Sequence, residues 1–342
     1  MLNYCFFGGC EANRPNTHAQ EGRNDMRVLR PLLTVMAVTV LALMPCAHAA
    51  EPETASPPPS EGPPLPLNTI EGVGGGALVP MAYLVNPPTS GTFGKPAVSF
   101  WYANLDNKDL TTFTLSETIR VGDAIDLEFS YAHSILQLGD FTRNVQMAGL
   151  PDINVNHVGL HTFSVRTPLI REGAFDQAWM PAVTLGVSYK NNDEINRINR
   201  RLGGALTGLG MRRNDGLEFT LSATKAFAGI AGRPTIVTIG GRLTEANQTG
   251  FLGFTDSYKP QLEASVVCLV TGQLAVVAEY RMKPDELGQI PGLVRDEDDW
   301  WDVGFVYIFD EHLTATAAYV HFGDVLDEDV CGGFILGLKY EF

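Results

Sequence analysis

No stretch of this sequence supplies the roughly 20 consecutive apolar residues that a membrane-spanning helix needs. The longest apolar run, Leu32–Met44, stops at about thirteen. Basic residues are also scarce, with 24 Lys and Arg against 39 Asp and Glu. That balance excludes the phosphate-tracking surface of a nucleic-acid binder. The 5 cysteines form no C-x-x-C pair, haem-attachment site or zinc spacing, which excludes a thiol-redox motif and a zinc ribbon. G-x-S-x-G is absent too, and with it the nucleophile elbow of an α/β-hydrolase.

What stands near the start is a leader. Arg27 and Arg30 precede the apolar run and Ala47-His48-Ala49 follows it, the pattern of a secretory signal peptide cleaved after Ala49. Residues 1–25 carry Glu11, Glu21 and Asp25 where a basic flank belongs. Residues 26–49 are therefore expected to be the signal peptide, with 1–25 an extension ahead of a true start at Met26. Pro45 precedes Cys46 where a lipobox requires a small residue, so lipidation is not expected. Cleavage would leave 20 basic against 36 acidic residues, and only Cys268 and Cys331 among the cysteines. These two fall in distant segments and are expected to be small apolar side chains rather than a disulfide.

Residues 50–67 form a proline-rich acidic linker, expected to be extended. In the segment 68–96, Gly74-Gly75-Gly76 leads into a short apolar run. Three placements stay open for it: a plug inside a barrel, an extra strand, or a periplasmic stub.

From Ala97 onward the chain alternates. In Ile125-Asp126-Leu127-Glu128-Phe129-Ser130-Tyr131 every odd position is apolar and every even one polar, and Leu217–Ser222, Leu262–Val266 and Ala278–Lys283 repeat the pattern. Helices need apolar spacings of three and four, so these are strands. Twelve segments result: 97–105, 110–119, 124–135, 153–166, 181–190, 216–226, 234–245, 259–270, 273–283, 300–309, 312–322 and 331–342. The turns at Arg120–Asp123, Phe227–Arg233, Thr271–Gly272 and Asp310–Glu311 are short, with Thr167–Met180 a longer exception on the same side. The opposite connections, 136–152, 191–215, 246–258, 284–299 and 323–330, are long.

An even strand count, short periplasmic turns and long outer loops are the pattern of a transmembrane antiparallel up-and-down β-barrel in the outer membrane of a Gram-negative-type bacterium, both termini periplasmic. Fourteen strands would result if Ala77–Val85 and a segment within 136–152 joined the wall. A periplasmic β-sandwich is the alternative, but it has no need of strands this long or of a terminal aromatic. Phe100, Tyr102, Tyr131, Tyr189, Tyr280, Trp301, Tyr307, Tyr319, Tyr340 and Phe342 are expected in the interfacial girdles.

The final Gly337, Tyr340 and Phe342 match the C-terminal signal read by the outer-membrane assembly machinery, a partner that would act by strand addition. The chain also resembles an uncharacterised bacterial family of outer-membrane barrels, the domain-of-unknown-function family 3034. The residues that carry the likeness are EGVGGGALVP, GLEFTLSATKAF, ANQTGFLGF, DSYKPQLEAS, AEYRMKPDELG, EDDWWDV and AYVHFGD. Met81 stands where that family often has Trp. The resemblance implies the barrel fold and its location, and no reaction.

Parity places charges in the lumen: Asp126, Glu128, Glu218, Arg242 and Glu263 on earlier strands, then Glu279, Arg281, Lys283, Asp302, Lys339 and Glu341. Such a wall is either a mixed-charge conduit for small polar solutes or a set of paired charges filling a closed interior. Arg197, Arg200, Arg201, Arg212 and Arg213 share one outer loop, and acidic stretches at Asp296–Asp299 and Asp324–Asp329 lie in two others. Opposed, these would set a transverse field; otherwise the arginines would meet lipopolysaccharide phosphates.

No cofactor and no metal site is expected. His157 and His161 share a parity, but lie ~13 Å apart along one strand. Adjacent His133 and Ser134 point to opposite faces, so no catalytic pair is expected. The chain thus reads as a channel-like barrel. A non-conducting surface-interaction barrel is the alternative, and a lipid-modifying enzyme a weaker third.

Overall fold

Alternating chemistry folds here into alternating exposure. In the computed structural model, residues 68–122, 125–230, 232–283, 287–288, 293–295, 297–330 and 332–342 are described. The expected extension, signal peptide and linker (1–67), together with Cys331, lie outside the described residues.

Twelve antiparallel strands close into one barrel. They are β1 (Ala97–Leu105), β2 (Lys108–Val121), β3 (Ile125–Gln137), β4 (His157–Ile170), β5 (Ala182–Asn192), β6 (Asp215–Ile230), β7 (Arg233–Ala246), β8 (Phe254–Leu269), β9 (Leu274–Arg281), β10 (Trp300–Ile308), β11 (Leu313–His321) and, last in the wall, β14 (Gly333–Glu341). A small hairpin, β12 (Gly323–Val325) with β13 (Glu328–Val330), stands apart in the connection before β14. Closure runs through β1 and β14, from Ala97 opposite Glu341 to Asn104 opposite Phe334. That pairing leaves no free edge, as a wall surrounded by lipid requires.

Phe100, Leu115, Phe129, Phe163, Leu221, Phe305, Leu336 and Leu338 point outward and are exposed. Ser99, Thr114, Ser130, Ser164, Thr220 and Thr316 alternate with them and are buried inside. An apolar exterior around a polar interior is the inverse of a soluble sandwich, and it matches a wall solvated by hydrocarbon.

The two ends differ. On the side of Pro96 and Phe342, the connections include a turn at Asp310, whose carboxylate accepts N–H bonds of 2.8 Å from both His312 and Leu313. Those two donors hold the Asp310 carboxyl below its usual range. At the other end, one connection is short, at Asp106–Asn107. Others carry α1 (Phe141–Met147), α2 (Ile195–Arg201), α3 (Ala205–Leu209) and the β12–β13 hairpin. Phe141, Val145, Ile195, Leu206, Phe251 and Phe322 from these loops join inward wall residues such as Leu136 and Trp300 in one apolar cluster. The mouth is therefore capped.

The expected twelve strands are found, and two other expectations need correction. Of the two strand counts left open, twelve is the one observed: Ala77–Val85 adds no strand to the wall, and residues 136–152 hold α1. The fourth strand is His157–Ile170 rather than 153–166. It runs past Pro168, where the pairing with β5 shifts register, because an irregularity there spares the ladder the missing proline N–H. Tyr280 is fully buried, at 0 % exposure, and is no part of an exposed girdle. Its hydroxyl donates to Asp299 at 2.6 Å, from the connection that follows its strand.

A charge placed on the outer face tests this orientation. Leu336 lies midway along β14 and is 47 % exposed. Leu336→Arg is expected to lower stability by ~2–4 kcal/mol for a site near the bilayer midplane, read from urea unfolding in lipid vesicles. Unchanged stability would contradict a lipid-facing surface.

Candidate functional site: the occupied lumen

Every inward-facing charge expected from parity is buried inside the barrel. Several of them face residues 68–85, which lie inside the barrel. Irregular backbone at this depth has no water to satisfy it, so the wall must do so. Glu128 accepts N–H bonds from Gly74 at 3.2 Å and Val85 at 2.6 Å. Glu279 accepts from Leu78 at 2.8 Å and Val79 at 3.0 Å. On the carbonyl side, Arg166 donates to Gly74 at 2.8 Å and also to Met81, and Arg281 donates to Leu78. Hydroxyls complete the cradle: Thr224 accepts from Ala82 N–H at 2.8 Å, Thr184 donates to its carbonyl, and Ser116 and Thr118 donate to the carbonyls of Gly72 and Val85.

The glycine run makes this approach possible. A Cβ on Gly76 would collide with the Glu279 carboxylate. The segment's own side chains Leu78, Val79 and Val85 are all buried.

One charge of the segment enters the wall's network. The Glu71 carboxylate lies 2.8 Å from Lys190, 3.0 Å from Arg242 and 3.5 Å from Arg281. Arg242 also reaches Glu218 at 2.5 Å and Glu263 at 2.9 Å, and Lys190 reaches Glu218 at 2.9 Å. At the opposite end Tyr83 donates to Glu172 at 2.5 Å. Burial first, and then that carboxylate, push the Tyr83 hydroxyl well up, so it remains a donor. Glu172 comes from the long connection after β4, and it also pairs with Lys225 at 2.8 Å.

The remaining charges pair locally. Asp126 meets Arg120 at 2.8 Å, Lys283 meets Glu297 at 3.2 Å, and Lys339 meets Glu341. Asp302 stands opposite Glu279 in register. Around this network, cavities of about 10 Å³ remain, one beside Asn68, Gly76 and Trp101, another beside Lys190, Glu218 and Arg242. Each has room for about a single water. The open-conduit alternative therefore does not describe this state: most of its charges are paired, with Asp302 standing against the Glu279 carboxylate instead, and the cavities beside the network are small.

Sequence reasoning missed Arg166, Lys190 and Glu71. The first two follow the same parity as the charges it found, Arg166 after outward Val165 and Lys190 after outward Tyr189. Glu71 carried no such signal, since its segment has no period.

Several of the outer arginines are held by partners near their own loop. Arg197 pairs with Glu194 at 3.2 Å and donates to the Asn154 carbonyl, and Arg212 donates to the Thr207 carbonyl. Arg213 pairs with Glu245, while Arg200 and Arg201 lie on the exposed surface. Asp299 serves Tyr280 and the Lys283 backbone, and Asp327 pairs with buried Lys108 at 2.7 Å; Asp296 is outside the described residues. Of the terminal signal residues, Tyr340 and Phe342 face outward, whereas Gly337 faces inward beneath the Trp101 ring, which leaves no room for a side chain.

The wall also assembles an outer-face cluster that a single-strand reading overlooked. His161 does not partner His157, but it lies directly opposite His133 in the β3–β4 register. Asp193 stands beside both. Ser134, by contrast, bonds to Thr112 at 2.8 Å.

The profile of a family described as "Protein of unknown function (DUF3034)" matches residues 66–339. No curated protein matches the sequence. Among solved structures, the chain is similar to the KdgM porin, at 8 % identity and TM-score 0.40 over 72 % of this chain and 99 % of that one. It is similar to the NanC porin at 8 % and 0.41, over 72 % and 98 %. A third likeness is to outer membrane phospholipase A from Escherichia coli, at 10 % and 0.37, over 75 % and 98 %.

Removing the Glu71 charge would leave Lys190, Arg242 and Arg281 with an excess of buried positive charge. Glu71→Gln is expected to weaken seating of the segment by ~3–5 kcal/mol, the cost of breaking a buried ion pair from one side. A Leu78→Cys reporter, in a chain whose other cysteines are alanine, should then react faster with a water-soluble thiol reagent. Equal labelling rates with and without Glu71 would show that the ion pairs do not hold the segment.

Proposed function

The chain belongs to the DUF3034 family, described only as proteins of unknown function, and from the geometry of its lumen we propose that it is an outer-membrane channel for small polar solutes, closed by residues 68–96 acting as a plug. The observation that carries the proposal is the nature of the contact between plug and wall. Plug and wall meet through hydrogen bonds to Glu128, Arg166, Glu279 and Arg281, through one ion-pair cluster at Glu71, and through apolar packing of Ile70, Leu78, Val79 and Met81. Polar contacts of this kind can be exchanged for water when the plug leaves, whereas a purely apolar core would lose its hydrophobic stabilisation outright. The exposed wall would then present carboxylates and guanidinium groups around a wet passage, a surface that selects by charge and size.

In this reading the plug withdraws toward the side where Tyr83 meets Glu172, the end at which residues 92–94 run into β1 past the foot of β2. Both termini lie on that periplasmic side, and the arginine-bearing loops face outward, where Arg200, Arg201 and Arg212 meet lipopolysaccharide phosphates. Folding into the membrane uses the assembly machinery, through the β14 edge and its terminal aromatics. Catalysis is not part of the proposal, since Ser134 is turned away from His133 and bonded to Thr112.

The apolar cap formed by Phe141, Val145, Ile195 and Leu206 favours a second reading, a non-conducting surface barrel. Planar-bilayer conductance separates the two. The full chain is expected to conduct rarely, and a chain lacking residues 50–86 to show frequent discrete steps. Silence from both, with folding verified by heat-shifted gel mobility, would exclude the channel and leave the surface barrel.

A further inference from the structure

On the outer face, near the loop-bearing end of the wall, two imidazoles and a carboxylate converge. His133 of β3 and His161 of β4 are directly opposed in register. Their rings stack with centroids 4.4 Å apart and planes 3° from parallel. Asp193 follows the last residue of β5, and one ligand atom from each of the three residues lies within 4.8 Å of the other two.

We propose that His133, His161 and Asp193 form a binding site for a first-row divalent transition ion such as zinc. The donor set points to this class: imidazole nitrogen favours zinc, copper or nickel, whereas magnesium and calcium seek all-oxygen sites. The supporting contacts are those a ligating histidine and carboxylate require. The Tyr131 hydroxyl lies 2.9 Å from His161 Nδ1, which fixes the ring and leaves Nε2 for the ion. Asp193 Oδ1 accepts the Gly159 N–H at 2.8 Å, which orients the carboxylate toward the wall. Gly159 lies on the same strand face as His161, and a side chain there would collide with that carboxylate. The site is half-buried at the two histidines and open at Asp193, so an ion has an entry path.

For a tetrahedral ion with bonds near 2.0–2.1 Å, the ligand atoms must stand roughly 3.3 Å apart. Binding therefore requires the two stacked rings to turn about their side-chain torsions until their nitrogens converge. Three protein ligands leave a fourth position for water. An ion so held would join β3, β4 and the first residue of the loop that carries α2, and so tie the arginine-bearing loop to the wall. Two strands and a loop contribute, each through one residue, which is why no spacing motif announces the site.

The test is zinc titration of the full chain refolded in detergent, monitored by calorimetry, with cobalt substituted as a spectroscopic probe. One ion per chain is expected, with cobalt giving intense visible bands typical of low-coordinate nitrogen and oxygen ligation. His133→Ala, His161→Ala and Asp193→Asn should each weaken binding by at least tenfold. Tyr131→Phe, which keeps all three ligands, should weaken it by ~10-fold. Should a histidine variant fail the heat-shift test of folding, Asp193→Asn at its exposed loop position remains decisive. No zinc binding at micromolar concentration, or a folded Asp193→Asn chain that binds zinc and displays the cobalt spectrum unchanged, would overturn the proposal.

Discussion

Everything in this barrel turns on how an irregular stretch of backbone is satisfied inside a membrane-embedded wall. Residues 68–85 bring N–H and C=O groups to a depth where each unpaired one would cost several kcal/mol, on the order of the figures for transfer into an apolar medium. The wall answers with paired chemistry, carboxylates of Glu128 and Glu279 for the N–H groups and guanidinium groups of Arg166 and Arg281 for the carbonyls. These four residues are themselves charges that could not be buried alone. Glu128 meets Arg166 at 3.3 Å, and Arg281 meets Glu263 at 2.9 Å. Plug and wall therefore each remove the other's desolvation problem.

The same dependence explains the glycines. A residue with Cβ at position 76 would separate Glu279 from the backbone it accepts from. The two apolar features bracket this polar middle. Outside, the exposed belt meets lipid; above, the loop cluster around Phe141 and Leu206 closes the mouth. A wall with both faces explained leaves the polar interior as the place where function is to be sought.

The alternation made the barrel legible, because a period of two fixes both the strand and the face of each side chain. Glu218 and Arg242 could be placed inward from parity alone, and their contact follows from neighbouring strands. The fate of residues 68–96 was less accessible. Their glycines announce close approach of backbone to something, but not to what, since the partners Glu128 and Glu279 lie far along the chain. Tyr280 shows a second limit: parity gave its face correctly, yet a loop through Asp299 covers that face. His133 and His161 show a third. Their meeting depends on the β3–β4 register, which loop length and the onset of β4 at His157 decide, and neither is visible within a single strand.

A plug held by exchangeable polar contacts should open without the wall unfolding. Hydrogen exchange of the Gly74, Leu78, Val79 and Val85 amides, followed in the intact refolded chain, measures that directly. The account predicts protection far above that of a free peptide, but release at a lower opening free energy than the ladder amides of β5, β6 and β7. Exchange of the four at free-peptide rates would show that the wall does not bind them. Exchange only together with the strands would show a permanent core, and a barrel that does not open by losing its plug.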